Sequence, residues 1–254
     1  MGIKIEDYVI FYTSNGCDEK LLIELKYSIL SARRFLDKNK IKVFLHPPYR
    51  EDMDNIISDI TGIADVTFKY SHLTEPFAIH PLSEKWKNHK RYYGEKINVR
   101  EIKEDNVILL DCDTIVYKNP DILFEGDFDF AGLAMDLIQE QWQYKSRILM
   151  PTKRVFKLTN NPDVHMWAGA YLVFKNGTHR LIGDDWLYYF NQKYLLDFTC
   201  KPNRKTYDQS ALIPAVHKHN LKIKILNDYG YIYNVRDDSC LLYTSDAADE
   251  LDGV

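Results

Sequence analysis

The stretch Val107-Ile108-Leu109-Leu110-Asp111-Cys112-Asp113 places two carboxylates, one residue apart, directly after four apolar residues. A short run that is apolar at every position suits a central strand covered on both faces. Acids at i and i+2 just past such a strand can both approach one bound cation as the chain leaves the sheet. Hard divalent cations prefer oxygen ligands. Mg²⁺ commonly takes one or two carboxylates and completes its shell with substrate phosphates, and Mn²⁺ accepts the same set. The plainer alternative is a turn capped by Asp111 with Asp113 in solvent. Two acids within three residues are common, but two acids that end a fully apolar strand are much less so. The pair is therefore read as functional.

The elements that must position this pair alternate between strand and helix. Residues 8–13 (YVIFYT) are a β-branched and aromatic run and predict a buried strand. Asp18 is suited to cap a helix on which Leu22, Leu25, Ile29, Ala32 and Leu36 recur at spacings of three and four. Strands are expected at 41–45, stopped by Pro47 and Pro48, and at 65–70, with a short helix from Asp52 to Ile60 between them. A helix capped by Ser83 is expected from Glu84 to Ile102, then the strand at 107–110. Further strands fall at 128–134, 169–174, 222–226 and 231–235, with helices over 178–194 and 208–218. This alternation predicts an α/β fold, a mostly parallel central sheet with helices on both faces. Such sheets place ligands at the carboxyl ends of their strands.

Composition narrows the classes. The chain has 254 residues, 45% apolar and 28% charged, with 18 Tyr, 12 Phe and 4 Trp, enough to build a core. A net charge of −4 gives no support to a nucleic-acid surface. No apolar run reaches the length of a membrane span, and the N-terminus lacks the basic, apolar and small-residue succession of a signal peptide. The scattered cysteines at 17, 112, 200 and 240 suggest neither a disulfide framework nor a zinc site. A reducing, cytoplasmic setting is expected. One domain is expected over residues 1–239. The last segment, CLLYTSDAADELDGV from Cys240, breaks the preceding pattern and resembles a translated sequencing adaptor. It is expected to be a non-native tail over 240–254, replacing the natural C-terminus. Without its four acids the body carries 33 acidic and 33 basic residues.

VILLDCDTIVYKNPDILF resembles the Asp-x-Asp region of nucleotide-sugar glycosyltransferases of the GT-A fold, most closely family eight, which includes glycogenin and bacterial galactosyltransferases. Three further stretches agree in order: YVIFYTSNG with the strand and turn that receive the nucleoside, WAGAYLVFKN with a later strand, and YDQSAL with the Asp-Gln pair that opens a later helix. The resemblance covers most of residues 8–235. It implies that Asp111 and Asp113 hold Mn²⁺ or Mg²⁺ bridging the phosphates of a UDP-sugar donor, with Cys112 between them facing the core. It places Thr13 and Asn15 near the uridine and ribose, and Gly169 where backbone approaches the donor sugar. Asp208 and Gln209 would contact that sugar near the reacting carbon. Lys96 or Arg100, four apart on the expected helix and so on one face, would neutralise phosphate or grip the sugar; a solvated basic face is the alternative for both. The implied reaction is metal-dependent transfer of a hexose to a glycan, lipid or protein acceptor, with retention of configuration. The aromatic and basic residues between Leu137 and Lys157 could receive that acceptor, though a surface insertion is the simpler reading.

The chain departs from the family at two places. Trp167 stands where Asn usually precedes Ala/Ser-Gly, so a ribose or sugar hydrogen bond would be lost or supplied elsewhere. No His-x-x-Gly-x-x-Lys pattern, a source of a further metal and phosphate ligand, is present. His217 and His219 precede its expected place and are read as surface residues. A catalytically weak GT-A-like domain that binds nucleotide or glycan is thus an alternative. LLDCDTIV also resembles the first motif of haloacid-dehalogenase-type phosphatases, in which Asp111 would be nucleophile and Asp113 acid/base. However, Thr114 comes one residue too early, and the pair lies far from the first strand.

Overall fold

The computed structural model describes residues 7–70, 94–137, 165–190, 207–226 and 232–234. Strand β1 (Val9–Asn15) leads into helix α1 (Glu19–Arg33), which returns to β2 (Ile41–His46). Helix α2 (Asp54–Ile63) joins β2 to β3 (Asp65–Phe68). The three strands pair in parallel, each step moving outward from β1. Strand β4 (Val107–Leu110) then pairs with β1 on its other side, also in parallel, with Val9 opposite Val107 and Phe11 opposite Leu109. The direction of winding therefore reverses between β1 and β4. At such a switch point a crevice opens outside the carboxyl ends of the strands.

Beyond β4 the sheet continues with β7 (His165–Phe174), β6 (Phe130–Leu137) and β8 (Ile223–Ile225). The order among the described residues is β3-β2-β1-β4-β7-β6-β8. Strand β7 runs antiparallel to both β4 and β6, while β8 lies parallel to β6. Six strands of the seven thus share one direction, the mostly parallel sheet expected from the sequence. A short strand β5 (Thr114–Val116) follows the acidic pair and joins β9 (Ile232–Asn234) in a second, two-stranded sheet. Helices α3 (Thr178–Phe190) and α4 (Tyr207–His217) complete the fold.

The period of two in β1 and β4 divides the core. Ile10, Tyr12, Ile108 and Leu110 face α1 and α2, packing with Leu22, Leu25, Ile29 and Ile60. Val9, Phe11, Val107 and Leu109 face the other layer, with Trp167, Trp186, Leu212 and Ala215. Every residue of β4 is buried, as its uniform apolarity demands. Asp18 caps α1, its side chain accepting from Leu21 N at 3.1 Å.

The expected helix over 84–102 is corrected where it is described. Residues Glu95–Glu101 form a 3₁₀ helix after Gly94; residues 84–93 lie outside the described residues. A 3₁₀ helix turns every three residues, so positions four apart diverge by a third of a turn. Lys96 and Arg100 consequently do not share a face. The edges of several elements also move: β7 begins at His165 rather than 169, and β6 runs from Phe130 to Leu137. Both extensions follow from pairing between the two strands, which carries polar positions into the sheet.

A chain of buried hydroxyls fastens the strand end to α1. Ser28 Oγ lies 3.0 Å from the Tyr12 hydroxyl and 3.2 Å from the Thr114 hydroxyl. Thr114 in turn donates to the Asp111 carbonyl at 2.6 Å. Ser31 Oγ accepts from Val116 N at 2.9 Å. Thr114→Val would keep the side-chain shape and leave buried partners unsatisfied. It is expected to lower unfolding free energy by about 1–3 kcal/mol, read from urea titration.

Candidate functional site

Asp111 and Asp113 stand where the sequence places them, at the carboxyl end of β4 and beside the switch point. The Asp111 side chain retains 25% of its exposure, whereas Asp113 is buried. The Lys96 ammonium, 14% exposed, lies 2.5 Å from Asp111 Oδ1 and 3.3 Å from the Gly169 carbonyl on β7. One cation thus spans the end of β4 and the body of its antiparallel neighbour. Cys112 turns inward and its thiol donates to the Thr13 carbonyl of β1 at 3.3 Å. Burial pushes the Cys112 thiol far above its ordinary range, so it acts as a small apolar group and not as a thiolate ligand. The Thr13 hydroxyl is buried with no hydrogen-bond partner among the described residues. Thr13, Lys96, Asp111, Cys112, Asp113 and Gly169 are therefore gathered at one place, from four separate segments.

Other expected residues behave differently. Asn15 is buried, and its side-chain oxygen accepts from Cys17 N at 3.1 Å and Asp18 N at 2.9 Å. It shapes the turn after β1 from within. Arg100 points to α3, where its guanidinium meets Asp184 at 2.8 Å. Gly183 of α3 makes room for it: a Cβ there would come within 2.5 Å of Arg100 Cβ. Arg100 is thus separated from Lys96 by the 3₁₀ geometry. Asp208 and Gln209 open the first turn of α4, which packs on β7; their side chains lie outside the described residues. So does most of the segment from Leu137 to Lys157. Trp167 is a core residue, fully buried edge-on to Phe130 with centroids 5.1 Å apart. His217 corrects the surface reading: its ring stacks on Trp167 at 6.0 Å and 20°, half-buried in the layer below β7.

A buried polar group beneath the site was not singled out in the sequence. His46, at the end of β2, is fully enclosed with Glu95 and Asn98 of the 3₁₀ helix. Asn98 Nδ2 lies 3.2 Å from His46 Nε2, so the amide donates and the ring proton sits on Nδ1. That nitrogen lies 3.5 Å from Glu95 Oε1. Burial pushes the Glu95 carboxyl up to about 10, so it is uncharged at neutral pH. Glu95 is adjacent to Lys96 in the chain and anchors the segment that carries it. The signal available was faint: one His ending an otherwise apolar strand, and one acid in a mixed-charge run.

The raised carboxyl has a thermodynamic consequence with a definite sign. The folded state holds its proton up to about 10, and an ordinary carboxyl loses it near 4.5. Stability is thus fully present at low pH and declines as pH rises between those limits. Glu95→Gln removes this dependence. Its melting temperature relative to the unsubstituted protein should rise steadily between pH 5 and pH 9, read by thermal melts across that range.

No known family pattern matches the sequence, and no curated protein matches it. Solved structures do resemble it in three dimensions. The galactosyltransferase LgtC, in complex with donor and acceptor sugar analogs, superposes with a TM-score of 0.55 at 12% identity. The match covers 86% of this chain and 73% of that one. An active-site mutant of LgtC gives a TM-score of 0.52 at 14% identity, covering 86% and 72%. The bifunctional glycosyltransferase WbbM gives 0.52 at 15% identity, over 89% of this chain and 40% of that chain. At identities this low the likeness establishes architecture alone: the chain has the GT-A fold.

Proposed function

We propose that this chain is a metal-dependent glycosyltransferase that moves a hexose from a UDP-sugar to a glycan, lipid or protein acceptor, with retention of configuration. The observation that carries this reading is the convergence of Lys96, Gly169 and Asp111, with Asp113 two residues on, at the switch point of a GT-A sheet. The donor set fits a hard divalent cation. Two carboxylates come from one strand end. That suits Mn²⁺ or Mg²⁺ completing its shell with diphosphate oxygens and water. When bound, such an ion stabilises negative charge on the departing diphosphate.

The chain's own groups supply the rest. Lys96 is a second fixed positive charge beside the acidic pair, shielded enough for its field to act at short range. Gly169 brings backbone, not side chain, to the floor of the crevice. Asp208 and Gln209, at the start of α4 on the β7 side, are assigned to the donor sugar near the reacting carbon. Thr13 and the turn shaped by Asn15 are assigned to the nucleoside. The phosphatase alternative loses ground, because the acidic pair ends the fourth strand of a sheet with GT-A order and not the first. Among the described residues no helix is long and apolar enough to cross a membrane; a cytoplasmic location is part of the proposal.

Calorimetric titration of UDP with and without Mn²⁺ tests the reading. Binding should require the ion and should vanish in the Asp111→Ala/Asp113→Ala double variant. Asp113→Ala alone should lower turnover of a UDP-sugar by at least about 10²–10³, the scale of one lost preorganised electrostatic contact. Turnover near that of the unsubstituted protein would overturn the role given to the pair. Metal-dependent UDP binding with neither hydrolysis nor transfer would identify a binding domain instead.

A further inference from the structure

Tyr49 stands just past the carboxyl end of β2. It follows β2 through Pro47 and Pro48 and lies at the carboxyl edge of the sheet, 41% exposed. Exposed tyrosines on a surface are usually free to change rotamer, but this one is fastened. Its hydroxyl is shared between the carbonyls of Leu45 and Lys69, 2.6 Å from each. Its ring meets Phe68 edge-on at 5.7 Å and 66°. Its other support is the turn after β1. A Cβ on Gly16 would fall 2.3 Å from Tyr49 Cδ1, so the ring lies directly on the glycine backbone. The next residue ties the same turn down: Arg50 N donates to Gly16 O at 3.4 Å and its guanidinium to Cys17 O at 3.3 Å.

From these contacts we infer that Tyr49 is the platform on which the planar base of the donor nucleotide stacks. The inference rests on the nucleotide-sugar reading above and adds to it a residue that sequence reasoning did not select. Position supports it. Neighbouring strands lie about 4.8 Å apart, so the end of β2 is roughly 10 Å from the acidic pair at the end of β4, with β1 between. A nucleotide whose phosphates meet Asp111 and Asp113 would cross Thr13 and the Gly16 turn and deliver its base over Tyr49. Chemistry supports it too. A rigid aromatic face binds any base through its π surface and loses little conformational freedom in doing so. The donor sugar would then lie toward the β7 side, where Lys96 meets Gly169 and α4 begins.

The test is calorimetry with Mn²⁺ present, titrating UDP and, separately, ribose 5-diphosphate, which lacks the base. Proteins compared are the unsubstituted chain, Tyr49→Phe and Tyr49→Leu. Tyr49→Leu should weaken UDP at least about fivefold, the low end of what one stacked base contributes, with ribose 5-diphosphate unchanged. Tyr49→Phe keeps the ring, loses the shared hydroxyl, and should stay within about threefold for both ligands. UDP affinity unaltered by Tyr49→Leu would overturn the platform and leave the nucleotide reading intact. Equal losses for both ligands, or equal losses in both variants, would overturn it in favour of a structural role. Absence of UDP binding to the unsubstituted chain would overturn the nucleotide reading and this inference together.

Discussion

The site depends on the parallel pairing of β1 with β4 in the middle of the sheet. Both strands are enclosed by side chains on each face, and every residue of β4 is buried. A strand so placed can carry charge only where it ends. Its first polar residues therefore come at the carboxyl edge, at the switch point beside β1. Burial of charge elsewhere along β4 would cost several kcal/mol unless neutralised. The position of Asp111 and Asp113 is in this sense a consequence of how apolar the preceding four residues are.

What surrounds the acidic pair is assembled from distant parts of the chain. Lys96 enters on a 3₁₀ segment whose neighbour Glu95 is held in a buried group with His46 and Asn98. The Thr114 hydroxyl holds the Asp111 backbone and reaches Ser28 of α1. Cys112 turns the middle of the Asp-x-Asp stretch toward β1. The two acids thus sit on backbone tied to three other elements, with one carboxylate paired to an ammonium and the other buried. Preorganisation of this sort is what an electrostatic site requires, since dipoles and charges already aimed need no reorganisation as charge develops.

Much of this was legible in the sequence. Local signals sufficed for β1, β2 and β4, for the Asp18 cap and for the amphipathic face of α1, because each is governed by short-range periodicity or capping. The acidic pair was legible for the same reason: its meaning lies in the four residues before it. The face expected to be shared by Lys96 and Arg100 failed because the spacing argument presumes 3.6 residues per turn, and the segment adopts three. His217 misled because a histidine near a helix end carries no local mark of burial against a residue such as Trp167. Their stacking in the core is set by β7 meeting α4.

The sequence by itself determined the strand–helix alternation, the mostly parallel sheet and the two carboxylates at its edge, since all three follow from periodicity within a few residues. Only the tertiary structure decided which partners reach those carboxylates. Lys96 is 15 residues before Asp111 and Gly169 is 58 after it in the numbering, and their meeting rests on β7 reversing direction beside β4. Tyr49 and Gly16 come together because parallel pairing of β1 with β2 brings their carboxyl ends level. Contacts of this kind arise from strand order and register, which no local pattern of residues encodes.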